Sequence, residues 1–330
     1  MNRIEVIAEI GSVHDGSFGN AIKLIEAVSD SGATAVKFQT HISEEETIIN
    51  APAPDYFDDE TRFEYFKRTA FSPEQWKRLA EKAKSLGLVF ISSPFSIKAI
   101  DLLEEIGVDK YKIASGEITN IPLLERASLT KKELIISSGM SDYFELEEAV
   151  NIIKNNTKNF SLLQCSSIYP CPPESVGLNV ISELKEKFDV RVGFSDHTDG
   201  NTAAIAAVIS GAEIIEKHFT FSKLMYGSDA FNAMEPDKFK DYCAQISLAK
   251  IIKDNPVNKN DLSSYQNMKH IFQKSIVAAC NIKAGTVIEQ HHLAYKKPAS
   301  GMPPKYYKKL LGKKITTDMN KDDLFSEDFI

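Results

Sequence analysis

Eight short apolar runs, each followed by an amphipathic stretch, constrain this chain more than any other feature. The runs are 4–10, 35–39, 88–92, 110–114, 133–137, 160–165, 190–194 and 213–217. They are rich in Val, Ile and Phe and mostly continuous rather than alternating, the pattern of parallel strands buried on both faces. Between them, Ile22, Ile25 and Val28 fall on one helical face. Ser72, Pro73 and Glu74 read as N-cap, first-turn proline and first-turn acid of the next helix. The stretches 144–153, 178–188, 201–209 and 236–252 repeat this logic. Eight strand–helix units in strict alternation predict an α/β fold closed into a (β/α)8 TIM barrel rather than an open sheet. An open dinucleotide-binding sheet would carry G-x-G-x-x-G after its first strand. Here Glu9-Ile10-Gly11 runs into Ser12-Val13-His14-Asp15-Gly16.

A barrel takes ~250 residues, and this chain has 330. The predicted division is a catalytic barrel over 1–255, a polar linker over 256–271 and a small β-rich domain over 272–330. That last piece is too small to be very stable alone. The long polar and aromatic segment 41–69 is expected to be a βα loop on the active-site face. A formal charge of -7 excludes a general nucleic-acid binder. No apolar run reaches the ~20 residues that span a bilayer, so the expectation is a soluble, cytoplasmic protein with no membrane partner. Four cysteines without paired spacing are expected as reduced thiols. Residues 274–314 hold nine lysines and only Glu289 as an acid. A solvated basic face and a field that attracts an anionic substrate both remain open.

In such a barrel the C-terminal strand ends carry the chemistry. Here those ends are polar: Glu9; Lys37 and Gln39; Ser92 and Ser93; Lys112, Ser115 and Glu117; Ser137 and Ser138; Gln164 and Ser167; Ser195, Asp196 and His197; His218. His197 and His218 end neighbouring strands, so two imidazoles meet at one level. Such a pair suits Mn2+, Co2+ or Zn2+ and leaves coordination positions open for substrate. A satisfied core histidine is the alternative for either one. Glu216 and Lys217 flank His218 and are expected to point to the other face. Lys37, Lys112, Ser115, Ser137 and the Gly139 turn read as an anion cradle. Buried strand-end lysines also leave a Schiff-base aldolase open.

The stretches IAEIG (7–11), VKFQTH (36–41), FISSPFS (90–96), YKIASGE (111–117), ISSGM (136–140), SSIYP (166–170), GFSDHT (193–198), EKHFT (216–220) and 275–301 resemble the sialic acid (nonulosonate) synthases. The resemblance spans nearly the whole chain. It implies a TIM barrel followed by an antifreeze-like (SAF, β-clip) domain, in a domain-swapped homodimer. It implies condensation of phosphoenolpyruvate with an N-acyl hexosamine such as N-acetylmannosamine, giving a nonulosonate and phosphate. A legionaminate- or pseudaminate-type acceptor is the alternative. It also implies a divalent cofactor, Mn2+ before Co2+ or Mg2+, on His197 and His218. Lys37, Lys112, Ser115, Ser137 and Ser195 are implied as phosphoenolpyruvate contacts, Ser93 as a further substrate contact, and Glu9 as the acid near the attacking water. Gln39, Ser167, Tyr169 and Asp229 are implied at the sugar, with Glu117 shaping the phosphate pocket. Three positions depart from the family pattern: Val13 and Ser167 where Asn is usual, and Lys297 where Arg is usual. All three are expected to touch the acceptor, and Arg to Lys loses the planar fork.

Overall fold

The computed structural model describes residues 3–52, 60–227 and 229–326. Two compact units divide between Asn255 and Pro256. In the first, β1 (Glu5–Gly11), β2 (Ala35–Thr40), β3 (Val89–Pro94), β4 (Lys110–Ile113), β5 (Glu133–Ser137), β6 (Phe160–Cys165), β7 (Arg191–Asp196) and β8 (Ile214–His218) close a barrel in sequence order. Neighbouring strands are parallel, and β8 returns to β1 with Glu9 opposite His218.

The helices are α1 (Phe18–Ser29), α2 (Ser43–Glu46), α3 (Arg62–Thr69), α4 (Pro73–Ser85), α5 (Ile97–Ile106), α6 (Ile121–Leu129), α7 (Tyr143–Lys154), α8 (Asn179–Phe188), α9 (Thr202–Ser210) and α10 (Pro236–Asp254). Their starts are written in the sequence. Ser72 and Gln75 form a capping box at α4, as do Asp142 and Glu145 at α7, satisfying N–H groups that a helix start otherwise leaves unpaired. The predicted loop 41–69 contains α2 and α3; its residues 53–59 lie outside the described residues.

Period-two alternation sorts every strand into two cores. Outward residues such as Phe38, Phe90, Tyr111 and Phe194 pack under the helices. Inward residues stack in layers. Lys110 and Arg191 bridge Glu5 and Glu133 across the N-terminal end, at 2.7–3.3 Å. Above them Ile7, Ala35, Ile91, Ile135, Leu163 and Ile214 fill the interior. Burying each of the larger ones contributes about 1.5–3 kcal/mol. This plug makes the barrel a solid platform, and the next layer up is polar.

The second unit pairs β9 (Ser275–Ala278) with β10 (Leu293–Lys296) antiparallel, around Ile276, Ile282, Ile288, Leu310, Ile315, Met319 and Phe325. The stretch 256–271, expected as a linker, groups with this unit and enters α11 (Gln266–Phe272). A short helix, α12 (Tyr307–Leu310), completes it. All four cysteines are free. Among the described residues no helix is long and apolar enough to cross a membrane.

Candidate active site

Because Ile7, Ala35, Ile91, Ile135 and Ile214 face the axis, the residues two positions later do too. These are Glu9, Lys37, Ser93, Ser137 and Glu216. With Lys112, Ser115, Glu117, Ser167, Tyr169, Ser195, Gln39, His197 and His218 they line a cavity of 350 Å³ at the C-terminal mouth. Ser92, Ser138, Gln164 and Asp196 alternate with them and do not line it.

Charge is concentrated at the floor. Lys37 Nζ lies 3.1 Å from Glu9 Oε2 and 3.5 Å from Glu216 Oε2, and donates to Ser93 Oγ at 3.3 Å. Lys112 Nζ donates to Ser137 Oγ at 2.5 Å and lies 3.7 Å from Glu216 Oε1. Ser195 donates to the same carboxylate oxygen at 3.1 Å. Burial opposes ionisation of Glu216, yet Lys112 and Lys37 together hold its pKa below the usual carboxylate range. Burial likewise opposes the charge on Lys37, but Glu216 and Glu9 raise it. Lys112 is the exception: burial lowers its pKa against the pull of Glu216.

Glu216 corrects an expectation. It does not face away from His218. Two residues apart on one strand, both point inward, and only Lys217 points out. Lys217 pairs with Asp196 at 3.3 Å and donates to the Thr198 carbonyl, while Tyr242 donates to Asp196 Oδ2 at 2.8 Å. This buried network braces the outer side of the two strands that carry the histidines.

His197 and His218 have ring centroids 5.6 Å apart, and Tyr169 packs 4.1 Å from His197. Burial, then the neighbouring His218, keeps the His197 pKa well below its ordinary value. A neutral imidazole is the form that binds a metal. His218 Nδ1 is buried with no hydrogen-bond partner. Among the described residues no group of three or more His, Cys, Asp or Glu could hold an ion. Two imidazoles with no third such ligand are what the chain itself offers at this point.

At the far wall, Gly139 lies against Ser115 and Ser167. A Cβ there would come within 2.0 Å of Ser167 Oγ and 2.7 Å of Ser115 Oγ. Ser167 itself sits in the left-handed region at φ 52, a strained conformation that costs of order 1–3 kcal/mol and persists only where its surroundings enforce it. Gly139→Ala should displace both hydroxyls and, if they belong to the anion cradle expected from the sequence, raise the apparent Kd for inorganic phosphate about tenfold, the scale of one or two lost hydrogen bonds. Calorimetric titration checks this; unchanged affinity would place the anion elsewhere. Glu117, in the turn after β4, accepts from Asn120 Nδ2 at 2.7 Å, and burial raises its pKa.

Asp229 and Val13 are not among the residues that line this cavity, and Lys297 belongs to the second unit. Asp229 Oδ2 accepts from Ser12 N at 3.0 Å and occupies the space of a Gly11 Cβ, so Gly11, at φ 55, admits no side chain. Val13 is fully buried in the outer core and touches no part of the cavity, so it does not reach an acceptor. Lys297 lies in the second unit, over the Phe272 ring at 4.9 Å. Six lining residues were not singled out as site residues from the sequence: Arg62, Phe95, Ala114, Gly116, Met140 and Cys165. Cys165 was legible, being the inward residue two after Leu163. Arg62 was not, because it arrives on the loop-borne helix α3. Its Nε is buried without a partner and its guanidinium stacks on Phe66.

A model of the NeuB family matches residues 24–257, and a SAF-domain model matches 273–330. The chain belongs to the NeuB family. It is an enzyme of the synthase type. N,N'-diacetyllegionaminic acid synthase of Campylobacter jejuni is 37% identical over 99% of this chain and 100% of its own length. Human N-acetylneuraminate-9-phosphate synthase is 32% identical over 98% of this chain and 92% of its own. The N-acetylneuraminic acid synthetase of Leptospira borgpetersenii, solved with citrate, superposes with a TM-score of 0.71 at 32% identity. That match covers 81% of this chain and 90% of that one.

Proposed function

We propose that this NeuB-family enzyme condenses phosphoenolpyruvate with an N-acyl hexosamine aldehyde, giving a sialic acid-type nonulosonate and phosphate. The observation that carries the reading is the single polar layer of Glu9, Lys37, Lys112, Ser137, Ser195 and Glu216 beneath His197 and His218. Lys37, Lys112, Ser115, Ser137 and Ser195 hold the phosphate and carboxylate of phosphoenolpyruvate as charge-assisted donors. C3 of phosphoenolpyruvate bonds to the aldehyde carbon, whose oxygen takes a proton. Water adds at C2 and gives its proton to Glu9. The bond from C2 to the phosphate oxygen then breaks as the C2 hydroxyl passes its proton to the departing phosphate and becomes the ketone; phosphate leaves among the lysines, and the proton held by Glu9 balances the one taken up by the aldehyde oxygen. His197 and His218 would hold a divalent ion, with Mn2+ the first choice, and such an ion supplies Lewis-acid polarisation of the aldehyde.

Gln39, Ser167, Tyr169 and Arg62 line the acceptor side. Lys297 reaches an acceptor in this reading if the SAF domain of one protomer covers its partner's mouth, in a cytoplasmic homodimer; light scattering at the monomer mass would remove that part. The rival Schiff-base mechanism draws on one fact, the depressed pKa of Lys112. Against it, Lys112 is already engaged by Ser137 and Glu216. Borohydride trapping with substrate should leave no adduct on Lys112 or Lys37.

The deciding measurement is phosphate release from phosphoenolpyruvate with N-acetylmannosamine, its 6-phosphate and diacetamido-trideoxyhexoses. Release should require both substrates. EDTA should suppress it about 100-fold or more, a modest share of what a catalytic metal supplies, and Mn2+ should restore it. Release without acceptor, or undiminished in EDTA, would overturn the reading.

A further inference from the structure

His41 directly follows β2 and is absent from the cavity wall, yet it is held more tightly than most residues that form that wall. Its ring is clamped between Phe66 of α3 and Phe95 after β3. The centroid distances are 3.5 and 4.2 Å and the interplanar angles 16° and 12°. Both ring nitrogens are engaged: Nδ1 is 2.7 Å from Glu46 Oε1, and Nε2 is 3.1 Å from Gln39 Oε1. The Gln39 amide then donates from Nε2 to Glu9 Oε1 at 2.7 Å. Glu9 Oε2 in turn lies 3.1 Å from Lys37 Nζ. An unbroken chain of side chains runs from α2 at the mouth to the carboxylate opposite His218.

Donor and acceptor capacity fixes the direction of this chain. Glu9, paired with an ammonium, only accepts. Gln39 must therefore turn its NH2 toward Glu9 and its carbonyl toward His41. A carbonyl also only accepts, so His41 Nε2 carries a proton. On the opposite side, Glu46 accepts from Ile42 N at 3.3 Å through its other oxygen, and its side chain is 4% exposed. With Gln39 on one nitrogen and Glu46 on the other, the ring is fixed in orientation between the faces of two phenylalanines.

We propose that His41, paired with Glu46, is a positioning residue for Glu9: it fixes the Gln39 amide, and the amide fixes the carboxylate. The inference rests on the role proposed above for Glu9. Without His41 the amide is free to turn over and bring its carbonyl against the Glu9 oxygen. Because α2 supplies Glu46 and α3 supplies Phe66, the placement of both helices and the aim of Glu9 are set together.

The test combines ring 15N spectra of histidine-labelled enzyme with His41→Phe, which keeps the stack and removes both hydrogen bonds. The spectrum should show a proton on His41 Nε2, the nitrogen that faces the Gln39 carbonyl. His41→Phe, which leaves the buried Glu46 carboxylate without its partner, should lower the melting midpoint but keep the KM for phosphoenolpyruvate while kcat falls about 10- to 100-fold, the usual scale for a misaligned catalytic group. His41→Gln, which retains N–H donors, should recover part of that loss. The double variant Gln39→Ala/His41→Phe should be no slower than Gln39→Ala alone, since His41 acts through Gln39. A ring with no proton on Nε2, or additive losses in the double variant, would overturn the proposal. If wild-type enzyme released no phosphate with any acceptor, the proposed function would fall, while the ring spectrum would still decide whether the relay exists.

Discussion

His197→Ala should abolish turnover. The side chain is 5% exposed and sits in the wall of a preformed cavity, with its neutral form enforced by burial. Its removal leaves His218 as the one imidazole at the site. Phosphate release should fall about 1000-fold or more, the range seen when a preorganised group that stabilises developing charge is deleted. Metal content, read by atomic emission after desalting, should fall with it, while the melting midpoint of the barrel should stay near wild type. A variant that turns over normally would sink the histidine site. One that loses activity but keeps its metal would assign His197 a different task.

Glu216→Gln should be the most damaging isosteric change in the barrel. The amide fills the same volume and still accepts from Ser195, but the carboxylate that balances Lys37 and Lys112 is gone. Breaking one side of a buried ion pair costs about 3–5 kcal/mol, a fall in Tm on the order of 10 °C for a domain of this size. The pH dependence carries the same signature. The folded pKa of Glu216 is depressed below its unfolded value of 4.5. Its contribution is therefore complete above 4.5 and is lost as the pH falls through the lower folded value. The variant should show a flatter acid limb in denaturant titrations than wild type. Inorganic phosphate should restore more of the melting midpoint in the variant than it adds to wild type, because two lysines lack their counter-charge. Equal stability at neutral pH would mean that Glu9 alone balances both lysines.

The barrel was legible because its eight strands are continuous apolar runs, the mark of a parallel sheet buried on both faces, and because eight strand–helix units alternate strictly. The site was legible for a related reason. Period-two alternation from the apolar plug predicts which residue of each strand end looks inward, and Lys37, Lys112, Ser137, Ser195 and His218 all obey it. The same rule, applied one residue off, misplaced Glu216. Loop-borne partners obey no such period. Arg62 and the Phe66–His41–Phe95 stack are brought to the mouth by α3 and by the ends of β2 and β3; His41 and Phe95 lie in stretches that carry the family resemblance, but no periodicity says that they meet. Val13, which departs from the family pattern, turned out to be outer core.

What the sequence determined by itself is therefore the architecture and the inward-facing chemistry, since both follow from the two-residue repeat of a strand. The tertiary structure alone decided which charges balance which and which carboxylate is held by which amide. Those choices depend on distances of 3 to 4 Å between strands and loops far apart in sequence, and a Coulomb interaction or hydrogen bond is made or lost within such a distance.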